Sequence, residues 1–289
     1  MREYNLNEKV IKIIKGSNLK KVSSLILINN TLLEKEIYYY YLIIWNKFYQ
    51  KINYGEFKFD QPLSLIEITE IISNPSNVYH KFVIVDGWQE YQLNNYTNNV
   101  FGEIIKLEYQ NILADTYNYT STDSFEKLIN LMKNNKDNFF LKHTNNQLMK
   151  KYTINEILTI ASLLEKEGID DLDKKIISSV IFNRLDKKIK LQIDATTIFS
   201  ITKGKYKFNR KLILDDLKTE DLYNTYFYND LPPNPICFVS RKTIEIVLEN
   251  YRSDYLFYFY DTYLEKHIYS KSFKEHKNKL QKYRKKNAK

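Results

Sequence analysis

The chain has 289 residues, room for one large domain or a large one with a smaller partner, and its 43% apolar and 15% aromatic content excludes an intrinsically disordered protein. With 6 Gly, 5 Pro and a single cysteine, Cys237, it is neither collagen-like nor linker-like and holds no internal disulfide or cysteine-cluster zinc site. Net charge is +9, of which Lys274–Lys289 contribute +7 through eight basic residues against Glu275, so a near-neutral body carries a basic terminal helix or tail rather than a nucleic-acid groove.

In chain order, residues 1–16 are charged and lack the apolar centre of a secretory signal peptide. A strand is predicted at Lys9–Ile14, then a turn at Gly16-Ser17-Asn18, a helix over Leu19–Ile28 and a second over Glu34–Tyr41. Ile37–Phe48 is the most apolar stretch, yet too short to span a bilayer, and read literally the chain is soluble. Glu56–Phe59 reads as extended chain and Ser64–Ile72 as a helix, opened by a Ser64/Glu67 capping box and stopped before Asn74-Pro75. These elements make a small mixed α/β unit over residues 1–76. Beyond it, Lys81–Val85 reads as a buried strand closed by Asp86-Gly87, and Ser124–Lys133 as a helix leading into polar sequence up to Lys151.

The most informative helix runs from a Thr153/Glu156 capping box to Gly168. Ile154, Ile157, Leu158, Ala161 and Leu164 form one apolar stripe, and Glu165 projects within about 20° of Ile154 and Leu158. Glu167, about 200° from Glu165, is expected to face water. Two readings of Glu165 stand open. It snorkels, or pairs with a base such as Arg184; or it is a partly desolvated carboxyl, its pKa raised, able to donate a proton as the acid of glycosidic cleavage.

A second amphipathic helix, Asp173–Leu185, ends at Asn183-Arg184. In Leu191–Thr197, read as extended, Gln192, Asp194 and Thr196 alternate along one side. Tyr223–Tyr226, the stiff Leu231-Pro232-Pro233-Asn234-Pro235-Ile236 and a helix over Ser240–Leu248 follow. Amides, hydroxyls and aromatic rings suit sugar hydroxyls and sugar faces, although Asn and Tyr are abundant throughout. His143, His267 and His276 lack ligand spacing, and His80 needs no special role.

In this order, Ala161–Glu167, Val180–Leu185, Leu191–Thr196, Tyr223–Tyr226, Leu231–Ile236 and Tyr255–Phe259 with His267, Ser270 and His276 resemble the endolytic murein transglycosylase family, the YceG-like enzymes that cut peptidoglycan glycan strands. Asp115-Thr116-Tyr117 and Tyr54-Gly55-Glu56-Phe57 also fall where that family has related motifs. Asp86 stands where the family has Glu, Ala114 and Ala195 where it has Pro, and Asn234 where it has Gly.

The resemblance implies an α+β protein: a small LysM-like α/β module (1–76), a larger mixed α+β catalytic domain (77–271) and a basic C-terminal helix or tail (272–289). It implies a lytic transglycosylase that cleaves the MurNAc–GlcNAc bond, leaves a 1,6-anhydro end and limits nascent glycan strand length. Glu165, the first glutamate of Glu-Lys-Glu, would be catalytic, with Gln192, Asp194, Thr196, Asn183, Asn224 and Tyr226 as sugar-binding candidates. No cofactor and no metal are implied. The partners would be peptidoglycan strands, with peptidoglycan synthases as further candidates and no nucleic acid. The family also implies a membrane-spanning helix and a place in the cell envelope, at the periplasmic face of the inner membrane, and no such helix is present in this sequence.

Three rivals remain: a hydrolase using Glu165 and Asp194 as paired carboxylates, a wall-binding scaffold whose catalysis has decayed, and a nucleic-acid binder using the basic tail. Removing residues 274–289 is expected to leave catalysis intact.

Overall fold

The computed structural model describes residues 3, 4, 6 and 10–287, so Lys9 of the expected first strand, and Ala288 and Lys289 of the basic tail, lie outside the described residues. The fold is α+β, with three two-stranded sheets among the described residues. It divides into two compact units: one holds the residues up to Phe82 together with Thr116–Asn130, the other Val83–Asp115 and the chain from Leu131 onward.

In the first unit, β1 (Val10–Ile13) alternates exposed and buried side chains and pairs antiparallel with β2 (Gly55–Lys58), Val10 opposite Lys58. Between them lie α1 (Leu19–Ile26), capped by Asn18, and α2 (Leu32–Phe48), which starts at a Thr31/Glu34 capping box and runs well past the expected Tyr41. α3 (Leu65–Ser73) has the predicted Ser64/Glu67 box. Ile11, Ile13, Val22, Tyr38, Leu42, Phe57 and Ile68 fill the core, and the Tyr38 hydroxyl shares a 2.8 Å hydrogen bond with Thr69. β3 (Tyr79–Val83), two residues earlier than expected, pairs with β4 (Thr116–Thr120).

The second unit contains α4 (Glu90–Phe101), and α5 (Phe125–Leu141) extends into it through the polar stretch expected to be irregular. α6 (Leu148–Lys151) precedes α7 (Ile154–Glu167), around which α8 (Asp171–Asp186), α9 (Asp194–Thr202) and α10 (Arg241–Leu248) pack. Every residue of α7 from Ile157 to Leu164 is buried, so this helix is central rather than one-sided. The antiparallel hairpin β5 (Phe257–Asp261) and β6 (Lys266–Ser270) follows, with α11 (Phe273–Asn287) lying against it. Among the described residues, no helix is long and apolar enough to cross a membrane.

Candidate active site

Because α7 is enclosed, its last turn sends two carboxylates into two different environments. The Glu165 side chain is only 3% exposed, as its place on the apolar stripe predicts. Its partner is Lys174 from α8, not Arg184: the ammonium lies 2.5 Å from Oε2 and also donates to the Thr243 hydroxyl at 2.8 Å. The Ser240 amide and hydroxyl, at the N-cap of α10, donate to Oε1 at 3.1 and 2.8 Å. Burial alone would raise the Glu165 pKa, but Lys174, Thr243 and Ser240 outweigh it and hold the carboxyl below its ordinary value. The expected raised pKa at this position is therefore not found.

The strand-closing turn meets this cluster. Gly87 has φ +75° and places its Cα hydrogens where a Cβ would lie 3.7 Å from the Glu165 carbonyl oxygen. Lys166 donates to the Gly87 carbonyl at 2.6 Å. Asp86 beside it is pushed up, first by burial and then by the Glu165 charge.

Glu167, expected in water, instead accepts a 3.2 Å hydrogen bond from the Tyr258 hydroxyl on β5 and another from the Ala195 amide in the first turn of α9. Burial, followed by the negative charge of Asp194, raises its pKa to about 7, against the opposing effects of Tyr258, His267 and the Ala195 amide. Asp194 is exposed at the start of α9, where it accepts a 2.6 Å bond from the half-buried Tyr226. Behind Tyr258 stands His267, its ring 5.3 Å away and edge-on, held through Nδ1 by Asp173 at 2.9 Å; Tyr269 also donates to Asp173.

The other sugar-binding candidates separate into surface and scaffold. Gln192 is exposed, at φ +52°, adjoining Asp194. Thr196 is not on an extended edge but in the first turn of α9, fully buried, donating to the Ile193 carbonyl at 2.6 Å and sharing a 2.8 Å bond with Thr225. Asn224, also fully buried, donates to the Leu217 and Thr219 carbonyls at 3.1 and 2.8 Å and accepts from the Thr197 hydroxyl at 2.9 Å. Asn183 donates to the Ser253 and Tyr255 carbonyls at 2.7 and 2.9 Å. Arg184 holds Leu256 and Leu191 carbonyls, both at 2.6 Å, and lies over Phe257. Each of these four has its polar groups engaged in tying loops to helices. Glu167 and Tyr258, which the structure brings together, are not among the site residues singled out from the sequence, although both stand within the quoted motifs. Among the described residues, no three His, Cys, Asp or Glu side chains gather as a metal site.

A model of the YceG-like family matches residues 11–282. The chain belongs to that family. It is 32% identical over 189 residues, 65% of this chain, to the endolytic murein transglycosylase of Bacillus subtilis, and 32% identical over 164 residues, 56% of this chain, to that of Streptococcus pneumoniae serotype 2. The matched regions cover 51% and 29% of those relatives, so this family member spans about half or less of their length. A crystal structure of a YceG-like protein from Listeria monocytogenes superposes with a TM-score of 0.56 at 25% identity, covering 94% of this chain and 98% of that one.

Proposed function

We propose that the chain is a lytic transglycosylase acting on peptidoglycan in the cell envelope, with Glu167 rather than Glu165 as the proton-transferring residue. The observation that carries the reading is a carboxyl buried at the end of α7, accepting from Tyr258 and the Ala195 amide beside exposed Asp194, surroundings that raise its pKa to about 7. A group poised near neutrality can both give and take a proton. Protonated Glu167 donates to the bridging oxygen between MurNAc and GlcNAc. Its carboxylate then removes the proton of the muramic 6-hydroxyl, which closes on C1 as a 1,6-anhydro ring. The nucleophile belongs to the substrate, so no second carboxylate need place a water. Asp194 keeps Glu167 protonated, and with Gln192 and Tyr226 it offers polar contacts to the sugars. Glu165, tied to Lys174, anchors the end of α7. The family names of the relatives support peptidoglycan as substrate, and cutting within strands would limit their length.

The proximity of Asp194 to Glu167 favours one second reading, a two-carboxylate hydrolase that releases reducing ends. Incubation with purified peptidoglycan and mass analysis separates the two. Products one water lighter, as 1,6-anhydro ends, are expected, and Glu167→Gln should lower turnover about 10² to 10⁴-fold. Reducing ends would transfer the assignment to the hydrolase, and full activity in Glu167→Gln would remove Glu167 from the role.

A further inference from the structure

α2 enters its core through Tyr38 and Leu42, and Trp45 on the same side donates from its indole nitrogen to Ser73 at 2.9 Å. The opposite face is apolar. Leu33, Ile37, Tyr40, Ile44 and Phe48 are each 54–70% exposed, at spacings of four, three, four and four, so they form one stripe about 22 Å long. A continuous row of large apolar side chains on one helix is beyond the scattered exposure of a monomer surface. Two charged residues, Glu36 and Lys47, flank it, about 20° apart around the axis and therefore on the same side of the stripe.

We propose that this face pairs antiparallel, about a two-fold axis, with the same face of a second copy of the chain. A two-fold perpendicular to the helix near residues 40 and 41 sets Leu33 against the second copy's Phe48 and Ile37 against its Ile44, with the Tyr40 rings meeting at the axis. The same operation keeps each residue on its own flank, so Glu36 meets the second copy's Lys47, and the contact occurs twice. A parallel pairing, with its two-fold along the helix, would carry Glu36 and Lys47 of the second copy to the opposite side of the contact and leave neither facing the other. Glu36 is held by Lys20 at 2.7 Å but keeps 41% of its side chain exposed, open to a second cation. Glu36, Lys20 and Lys47 along this edge leave a single net positive charge, far short of the Lys/Arg-rich face of a helix drawn to anionic lipid.

Sedimentation equilibrium on the full chain tests the pairing. A dimer is expected for the unmodified protein and a monomer for Ile44→Glu, which changes an exposed position and should leave the circular dichroism spectrum intact. Glu36→Lys and Lys47→Glu should each weaken the dimer roughly tenfold, because two attractive contacts become repulsive. The double variant should return to within a few-fold of the starting constant. A chain that stays monomeric at tens of micromolar overturns the proposal, and one that instead floats with phosphatidylcholine vesicles reassigns the face to lipid. A dimer insensitive to Ile44→Glu, or a double variant no tighter than the single ones, overturns it equally.

Discussion

Glu165 and Glu167 differ in what a glutamine would cost. Glu165→Gln strips the negative partner from Lys174, whose side chain is only 15% exposed, and leaves an ammonium with a hydroxyl alone. Breaking a buried pair typically costs about 3–5 kcal/mol, and the residual access of Lys174 to water places this one near the lower end. Because the folded Glu165 pKa is depressed, its contribution is present above the unfolded value and lost as pH falls through the folded one. Denaturant titrations should therefore show Glu165→Gln about 3 kcal/mol less stable at pH 7, with the gap closing in acid. Equal stability at pH 7 would sink the anchoring role. Glu167 has the opposite sign: its pKa, raised to about 7, makes the ionised form unfavourable in the fold as pH rises. Asp194 contributes to that elevation, so Asp194→Asn should move the alkaline limb of kcat/KM to lower pH. An unmoved limb would show that Asp194 does not set the proton affinity of the acid.

At the level of helices, the capping boxes at Ser64 and Thr153 are legible because they are local: a hydroxyl and a carboxylate three residues apart satisfy each other's amides whatever lies around them. The face of a carboxylate is not local. A single apolar stripe implies one buried side and one wet side, but α7 is packed by α8, α9 and α10, and the side reserved for water is occupied by β5 and the start of α9. The burial of Glu165 could be read from spacing, whereas the role of Glu167 depended on Tyr258, ninety-one residues away. Likewise Asp194-Ala195-Thr196-Thr197 reads as extended from its β-branched residues, yet tertiary contacts to Thr225 and Asn224 draw it into a helix. In these contacts Asn224 acts as a clasp between loop and helix. Asn224→Ala removes four side-chain hydrogen bonds from a fully buried site and should cost about 2–3 kcal/mol in urea unfolding, with KM unchanged in the folded fraction. A raised KM with unaltered stability would restore the ligand role.

For the molecule as a whole, the basic C-terminus is a docked helix and not a loose tail. His276 lies 5.4 Å from the Phe257 ring and 5.7 Å from Phe259, Tyr283 lies 5.5 Å from Phe259, and Lys279 donates to the Tyr269 carbonyl at 2.7 Å. Lys274, Lys277 and Lys285 point away from this contact and are exposed. Apart from Lys279, which joins the contact, these lysines and the packing occupy different faces of α11, and removing the helix cannot remove the charge alone. A two-stranded hairpin is marginal without a covering layer, and β5 carries the Tyr258 hydroxyl that meets Glu167. Truncation after Ser272 should therefore cost about 3 kcal/mol, a fall in Tm of roughly 6–12 °C, and lower activity as well. The triple variant Lys274→Gln, Lys277→Gln and Lys285→Gln should melt within about 2 °C of the parent and retain turnover, since surface substitutions of this kind cost little. Calorimetry on both, paired with the product assay, separates packing from charge: a truncated chain that melts and turns over like the parent would mean that the hairpin holds Tyr258 in place without α11.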